Sequence, residues 1–193
     1  MDGGTGIGKT LEQVGETLFD DDFAFHGSAL VATRLIRNNW LWEKVRVQGG
    51  AYGAFCNADR INGQVGFFSY RDPNVAETLA TYNGAADFLR THAPDATELE
   101  RNIIGTLGDL DPCQLPDAKG YSHFMRQLMG YDDATRQRIR EEVFATTPQH
   151  IADFSVALAR HQNHQQVCVL GPESAQSTLH EWTESSPQLV HVL

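Results

Sequence analysis

The stretch AYGAFCNADRINGQVGFFSYRDPN, residues 51–74, decides the fold. Two runs of aromatic, small and β-branched residues, AYGAFCNA and QVGFFSYR, flank the segment DRING. Asn62-Gly63 carries the chemistry of a tight reversal, because both residues accept the positive φ that hairpin turns require. The reading is therefore a pair of adjacent antiparallel strands. RDPN then turns the chain into a helix, with Asp72 as the expected N-cap and Pro73 at the first helical position.

Upstream, SALVATRLIRNNWLWEKV predicts a helix capped by Ser28, with Val31/Leu35 and Ala32/Ile36/Trp40 at spacings of four and Gly49-Gly50 as its stop. Downstream, Val75, Leu79, Tyr82, Ala86 and Leu89 fall on one face of a single helix, and Leu99, Ile103 and Leu107 mark another ending near Gly108. LGDLDPCQLPDAKG reads as an ordered loop, with Asp117 as a further capping residue. Three shorter helices are expected at 121–128, 135–144 and 151–159, then a strand QVCVLG and a last helix in ESAQSTLHEW. Grouped strands followed by grouped helices predict an α+β fold, an antiparallel sheet with helices packed on one face. Residues 25–193 are expected to form one domain, preceded by a flexible or partly ordered segment over 1–24 in which DDD is a solvated loop.

The bulk properties exclude several classes. A chain of 193 residues with 41% hydrophobic and 21% charged residues is a soluble globular type with a real core. No apolar run spans a bilayer, and no signal peptide opens the chain. A formal net charge of −10 argues against nucleic acid, which needs an excess of Lys and Arg. Cys56, Cys113 and Cys168 are scattered and odd in number, which favours free thiols in a reducing compartment, bacterial cytoplasm or organelle matrix. GGTGIGKT at Gly3–Thr10 matches a phosphate-binding loop in letters, but no strand precedes it and the segment that follows is acidic and broken by Gly15. A flexible N-terminus is the reading.

No complete catalytic engine is written in the chain. H-E-x-x-H and H-x-x-E-H are absent, and His161/His164 read as exposed residues near a helix C-terminus. Cys56 has no catalytic partner, and His180 lacks a second histidine at a useful spacing. LWEKVRVQGGAYG (Leu41–Gly53) is the exception. Arg46 at a helix end and Tyr52 at a strand start are separated by two glycines that allow tight turning and close backbone approach. Guanidinium and phenol both donate hydrogen bonds to an oxygen that is becoming negative. The alternative is that Arg46 pairs with an acidic neighbour while Tyr52 packs in the sheet.

LWEKVRVQGGAYG, SYRDPN and LPDAKGY, in that order, closely resemble the C-terminal part of the presequence protease family, zinc metallopeptidases of the pitrilysin clan related to falcilysin and insulin-degrading enzyme. The resemblance runs from about Phe25 to the strand VCVLG. It implies a pitrilysin-type αβ domain, here expected to lack its first strand. It implies that Tyr52 donates to the oxyanion of the tetrahedral intermediate, that Arg46 holds a substrate carbonyl or the same charge, and that Gly49 and Gly50 let the strand approach the substrate. The six-residue spacing of Arg46 and Tyr52 fits the presequence protease branch. Zinc and the general base would come from an N-terminal half carrying H-x-x-E-H, with none bound by this chain. Expected partners are that half and a short unstructured peptide, with an exposed sheet edge available for self-association. The rival expectation is a non-catalytic pitrilysin-like structural or subunit domain.

Overall fold

The hairpin forms where Asn62-Gly63 directs it. Strands β2 (Gly53–Ala58) and β3 (Val65–Asp72) pair antiparallel, with Phe55 opposite Phe68 and Cys56 opposite Phe67. In the connection, the Asp59 carboxylate accepts from the Ile61 N–H at 2.7 Å and the Asn62 side chain accepts from the Gln64 N–H at 3.0 Å. Gly63 supplies the left-handed turn, at φ 73°. The structure, a computed structural model, describes residues 9–15, 18, 23–160, 165–172, 188 and 190.

One expectation is overturned at once. Lys9–Gly15 forms a strand, β1, which lies between β3 and β4 (Gln165–Leu170) in an antiparallel sheet of order β2-β3-β1-β4. The first strand is present, and the N-terminal segment expected over 1–24 contributes it to the sheet. KTLEQVG has no clean alternation of apolar and polar residues, so no local signal marks it. Its backbone is recruited by the open hydrogen-bonding edges on either side, a tertiary effect that overrides pattern. Lys9 and Thr10, which complete the phosphate-loop letters, are therefore strand residues. Their strand is tied into ladders on both edges, whereas a phosphate loop needs free N–H groups opening a helix.

The helices cover one face of the sheet. Helix α1 (Ser28–Leu35) continues without interruption into a π-helical segment, Ile36–Gln48. Ser28 is not the cap. Gly27 holds that position and donates its N–H to the Glu142 carboxylate at 2.7 Å, and the Ser28 N–H is met by His26 Nδ1 at 3.2 Å. The expected spacing of four ends at Ile36. The wider π turns bury Ile36, Leu41 and Val45 instead, at spacings of five and four. Trp40 leaves that stripe, donates its indole N–H to the Thr81 carbonyl at 2.7 Å and stacks on Phe88 at 5.3 Å.

The single helix expected from Val75 to Leu89 is two, α2 (Val75–Asn83) and α3 (Ala85–Thr91), joined at Gly84 with the apolar face intact. Phe67 of the sheet stacks on Tyr82 of α2 at 5.2 Å. Helix α4 (Ala96–Leu110) is capped by Asp95, whose side chain accepts from the Glu98 N–H at 2.8 Å. The expected loop at LPDAKG is instead the first turn of α5 (Pro116–Leu128). Pro116 opens it, and Asp117 sits inside that turn with no capping hydrogen bond. Helices α6 (Asp133–Phe144) and α7 (Pro148–Arg160) follow. The core gathers Val31, Leu35, Leu79, Ile139, Val143, Ile151 and Phe154 from α1, α2, α6 and α7. The helix expected in ESAQSTLHEW lies outside the described residues.

Candidate functional site

The site is built around the glycine pair that ends the π segment. Gly49 N–H donates to the Lys44 carbonyl, Gly50 N–H to Arg46, and Ala51 N–H to Val45, at 3.0, 3.0 and 3.1 Å. This is a widened form of the closure that seals ordinary helix ends. The two glycines serve different needs. A Cβ on Gly49 would stand 2.6 Å from the Val45 carbonyl oxygen, whereas Gly50 has room but adopts φ 78°. The turn is then locked from the end of β3, because the Asn74 amide donates to the Gly49 carbonyl at 2.6 Å.

Asn74 is held in turn by Asp72, which is fully buried at the end of β3. Its carboxylate accepts from the Asn74 N–H at 2.9 Å and from the Thr78 hydroxyl at 2.8 Å. Asn74, and not Asp72, occupies the N-cap position of α2. Asp72 acts one step earlier, by fixing the turn that delivers the helix. SYRDPN and the glycine turn are thus one hydrogen-bonded unit, a link invisible in either motif alone.

Arg46 and Tyr52 both face solvent at the two ends of this unit. The Arg46 guanidinium lies 4.0 Å from the ring centre of Trp42, one turn earlier. Tyr52 is 67% exposed, and its backbone N–H pairs with the Tyr70 carbonyl at 3.0 Å. Its ring meets Tyr70 edge-on at 6.0 Å, and the Arg71 guanidinium stands 5.7 Å from it. The structure thus groups Arg46 with Trp42, and Tyr52 with Tyr70 and Arg71. No hydrogen bond or ring contact joins Arg46 to Tyr52 among the described residues. Among the described residues no ion pair joins Arg46 to an acidic side chain, and Tyr52 packs against Tyr70 while staying largely exposed. Trp42, Tyr70 and Arg71 escaped the sequence reading, although SYRDPN already held two of them.

Chemically, the end of the π segment and the outer face of the strands offer an exposed arginine each, with the Tyr52 phenol beside aromatic platforms, Phe55 on β2 among them. Such groups donate to carbonyl oxygens and can stabilise developing negative charge. Nucleophilic chemistry at Cys56 is ruled out, since the thiol is buried and burial pushes its pKa far up. Among the described residues no three His, Cys, Asp or Glu side chains gather to hold a metal ion. His161, His164 and His180 lie outside the described residues.

An antiparallel sheet with helices packed on one face is the fold of pitrilysin-type metallopeptidase domains. Pitrilysin itself superposes on 83% of this chain and 18% of its own, with TM-score 0.56 at 19% identity. A protease from Helicobacter pylori superposes on 85% of this chain and 41% of its own, with TM-score 0.63 at 14% identity. Residues 9–172 match the PreP C-terminal domain, and the chain belongs to that family. The Arabidopsis thaliana protein "Presequence protease 1, chloroplastic/mitochondrial" is 48% identical over 141 residues, covering 73% of this chain and 13% of that protein. The chain spans only a small part of the length of these relatives.

Proposed function

We propose that this chain is the substrate-clamping C-terminal domain of a zinc-dependent oligopeptidase that degrades short unstructured peptides of the presequence type. Arg46 and Tyr52 meet the peptide across a chamber, and Gly49-Gly50 let the backbone between them approach it. Zinc, its water and the general base come from an N-terminal half with H-x-x-E-H, which is the partner of this domain. Tyr52 donates to the oxyanion as the tetrahedral intermediate forms, and Arg46 holds a substrate carbonyl. The supporting observation is the placement of both side chains on the surface, at the ends of a turn made rigid by Asn74 and Asp72. No helix among the described residues is long and apolar enough to cross a membrane. A reducing organelle matrix or bacterial cytoplasm accords with the free cysteines.

The test is reconstitution of the chain with a separately made zinc-bearing half and a fluorogenic peptide. Activity that needs both pieces and collapses in Tyr52→Phe supports the reading. Equal turnover by that variant removes the oxyanion role and leaves a non-catalytic subunit domain. Sedimentation of the chain alone tests whether its open sheet edge draws two copies together, as edge strands can.

A further inference from the structure

Among the described residues Arg71 is the one non-glycine position with positive φ, at 50°. It also falls where strand pairing loses its register. Lys9 faces Asp72 and Thr10 faces Tyr70, so Arg71 has no residue opposite and forms the extra member of a β-bulge. Side chains of a regular strand alternate between faces. Along β3, Phe67 and Ser69 are buried, while Phe68 and Tyr70 lie toward the other side. Plain continuation would bury Arg71 and expose Asp72. The bulge reverses this outcome. Tyr70 and Arg71 both emerge on the exposed face, and Asp72 returns to the interior, where it anchors Asn74 and Thr78.

The Arg71 guanidinium consequently stands 5.3 Å from the Tyr70 ring and 5.7 Å from the Tyr52 ring. Glycine adopts left-handed backbone freely, and bulges of this kind commonly use it. An arginine here carries strain that glycine would shed, and strain of this sort persists where a side chain is needed in one place. Bulges beside functional sites re-aim side chains in this manner. Tyr52, exposed and directly downstream of a glycine turn, needs an external support to keep one ring orientation.

We propose that Arg71 is a positioning residue of the Tyr52 site, bracing the Tyr52 ring together with the neighbouring Tyr70 ring and placing a positive charge beside the phenol. The inference rests on the oxyanion role of Tyr52 given above. Three variants in the chain, each also assembled with a zinc-bearing N-terminal half, test it. Arg71→Gly is expected to raise the melting temperature, because the strain is released, yet to lower kcat by about ten- to a hundredfold with KM within about twofold, as small misplacements of catalytic groups do. Arg71→Lys is expected to recover most of the loss, and Arg71→Ala none of it. In the chain alone, the Tyr52 ring resonances, assigned through Tyr52→Phe, should lose their distinct shifts in Arg71→Gly and keep them in Arg71→Lys. Arg71→Gly with unchanged kcat, while Tyr52→Phe is crippled, overturns the positioning role and leaves the oxyanion reading standing. If Tyr52→Phe is itself fully active, both fall.

Discussion

Tyr52 and Arg71 show how a phenol on an open strand edge can be both accessible and fixed. Accessibility follows from the glycine turn before it, and fixation from a cation and a second ring beside it. Replacing Tyr52 by Phe removes one hydroxyl from the site and leaves the ring packing alone. The expected result in the reconstituted peptidase is a loss of about a hundred- to a thousandfold in kcat, with peptide KM little altered, measured by initial rates. Thiol chemistry supplies a second check at this scale. Cys113 and Cys168 are exposed and Cys56 is buried, so a thiol reagent should label the first two in the native chain and the third only on unfolding. Arg46 and Tyr52 were legible in the sequence because their type, spacing and surrounding letters form a compact motif. Arg71 was not, because its bulge exists only once a strand from the N-terminal segment pairs with β3, and no reading of residues 65–72 alone contains that partner.

Among the elements, the unit joining the π segment, the glycine turn and the start of α2 carries the most information. Gly50→Ala introduces a Cβ that meets only Pro73 Cγ at 3.8 Å, so its cost is conformational, about 1–2 kcal/mol for a left-handed alanine. Asp72→Ala leaves the part-buried Asn74 N–H and the buried Thr78 hydroxyl without their acceptor, at about 1–3 kcal/mol for the Thr78 hydroxyl stranded away from water. Chemical denaturation of both variants checks these values, and Asp72→Ala should also free Asn74 and loosen Gly49. Helix identity was readable from apolar spacing at α1, at α2 and α3, whose buried faces follow it, and at α4, where Leu99 is buried and Ile103 and Leu107 pack against the core. Three features were not. The π turns change the spacing from four to five midway along a continuous helix. The first turn of α5 lies in a stretch that reads as loop, and as α5 buries none of its residues only its opening proline could have announced that the helix begins at Pro116. And β1 has no pattern of its own, being shaped by the edges it fills.

At the scale of the molecule, the domain presents donors but holds no metal site among its described residues. The purified chain alone is therefore expected to cleave no fluorogenic peptide. A peptidase signal that persists through repurification and vanishes with a chelator would contradict this. Its stability should also respond to acid through His26. Burial holds the His26 imidazole below its ordinary pKa, with nearby Glu142 pulling upward and His150 and Arg138 adding to the lowering. The folded chain thus takes up this proton at lower pH than the unfolded chain. The contribution is complete above about pH 6.5 and declines as the pH falls through the lowered value. Melting temperatures recorded from about pH 7.5 to 5 should drop less steeply for His26→Gln than for the parent chain.

Among the described residues, the order β2-β3-β1-β4 sets the earliest strand beside the latest, Thr10 against Leu170 and Gly15 against Gln165. On a ribosome, β1 would emerge long before the segment that zips its second edge, and about 150 residues must be made while that ladder stays open. Sheet completion is a long-range, late event, the kind that slows folding. In pulse-labelling exchange experiments, amides of β2 and β3 in the hairpin should gain protection before those of β4, and cutting the chain ahead of Gln165 should leave a species that clumps through its bared middle strand.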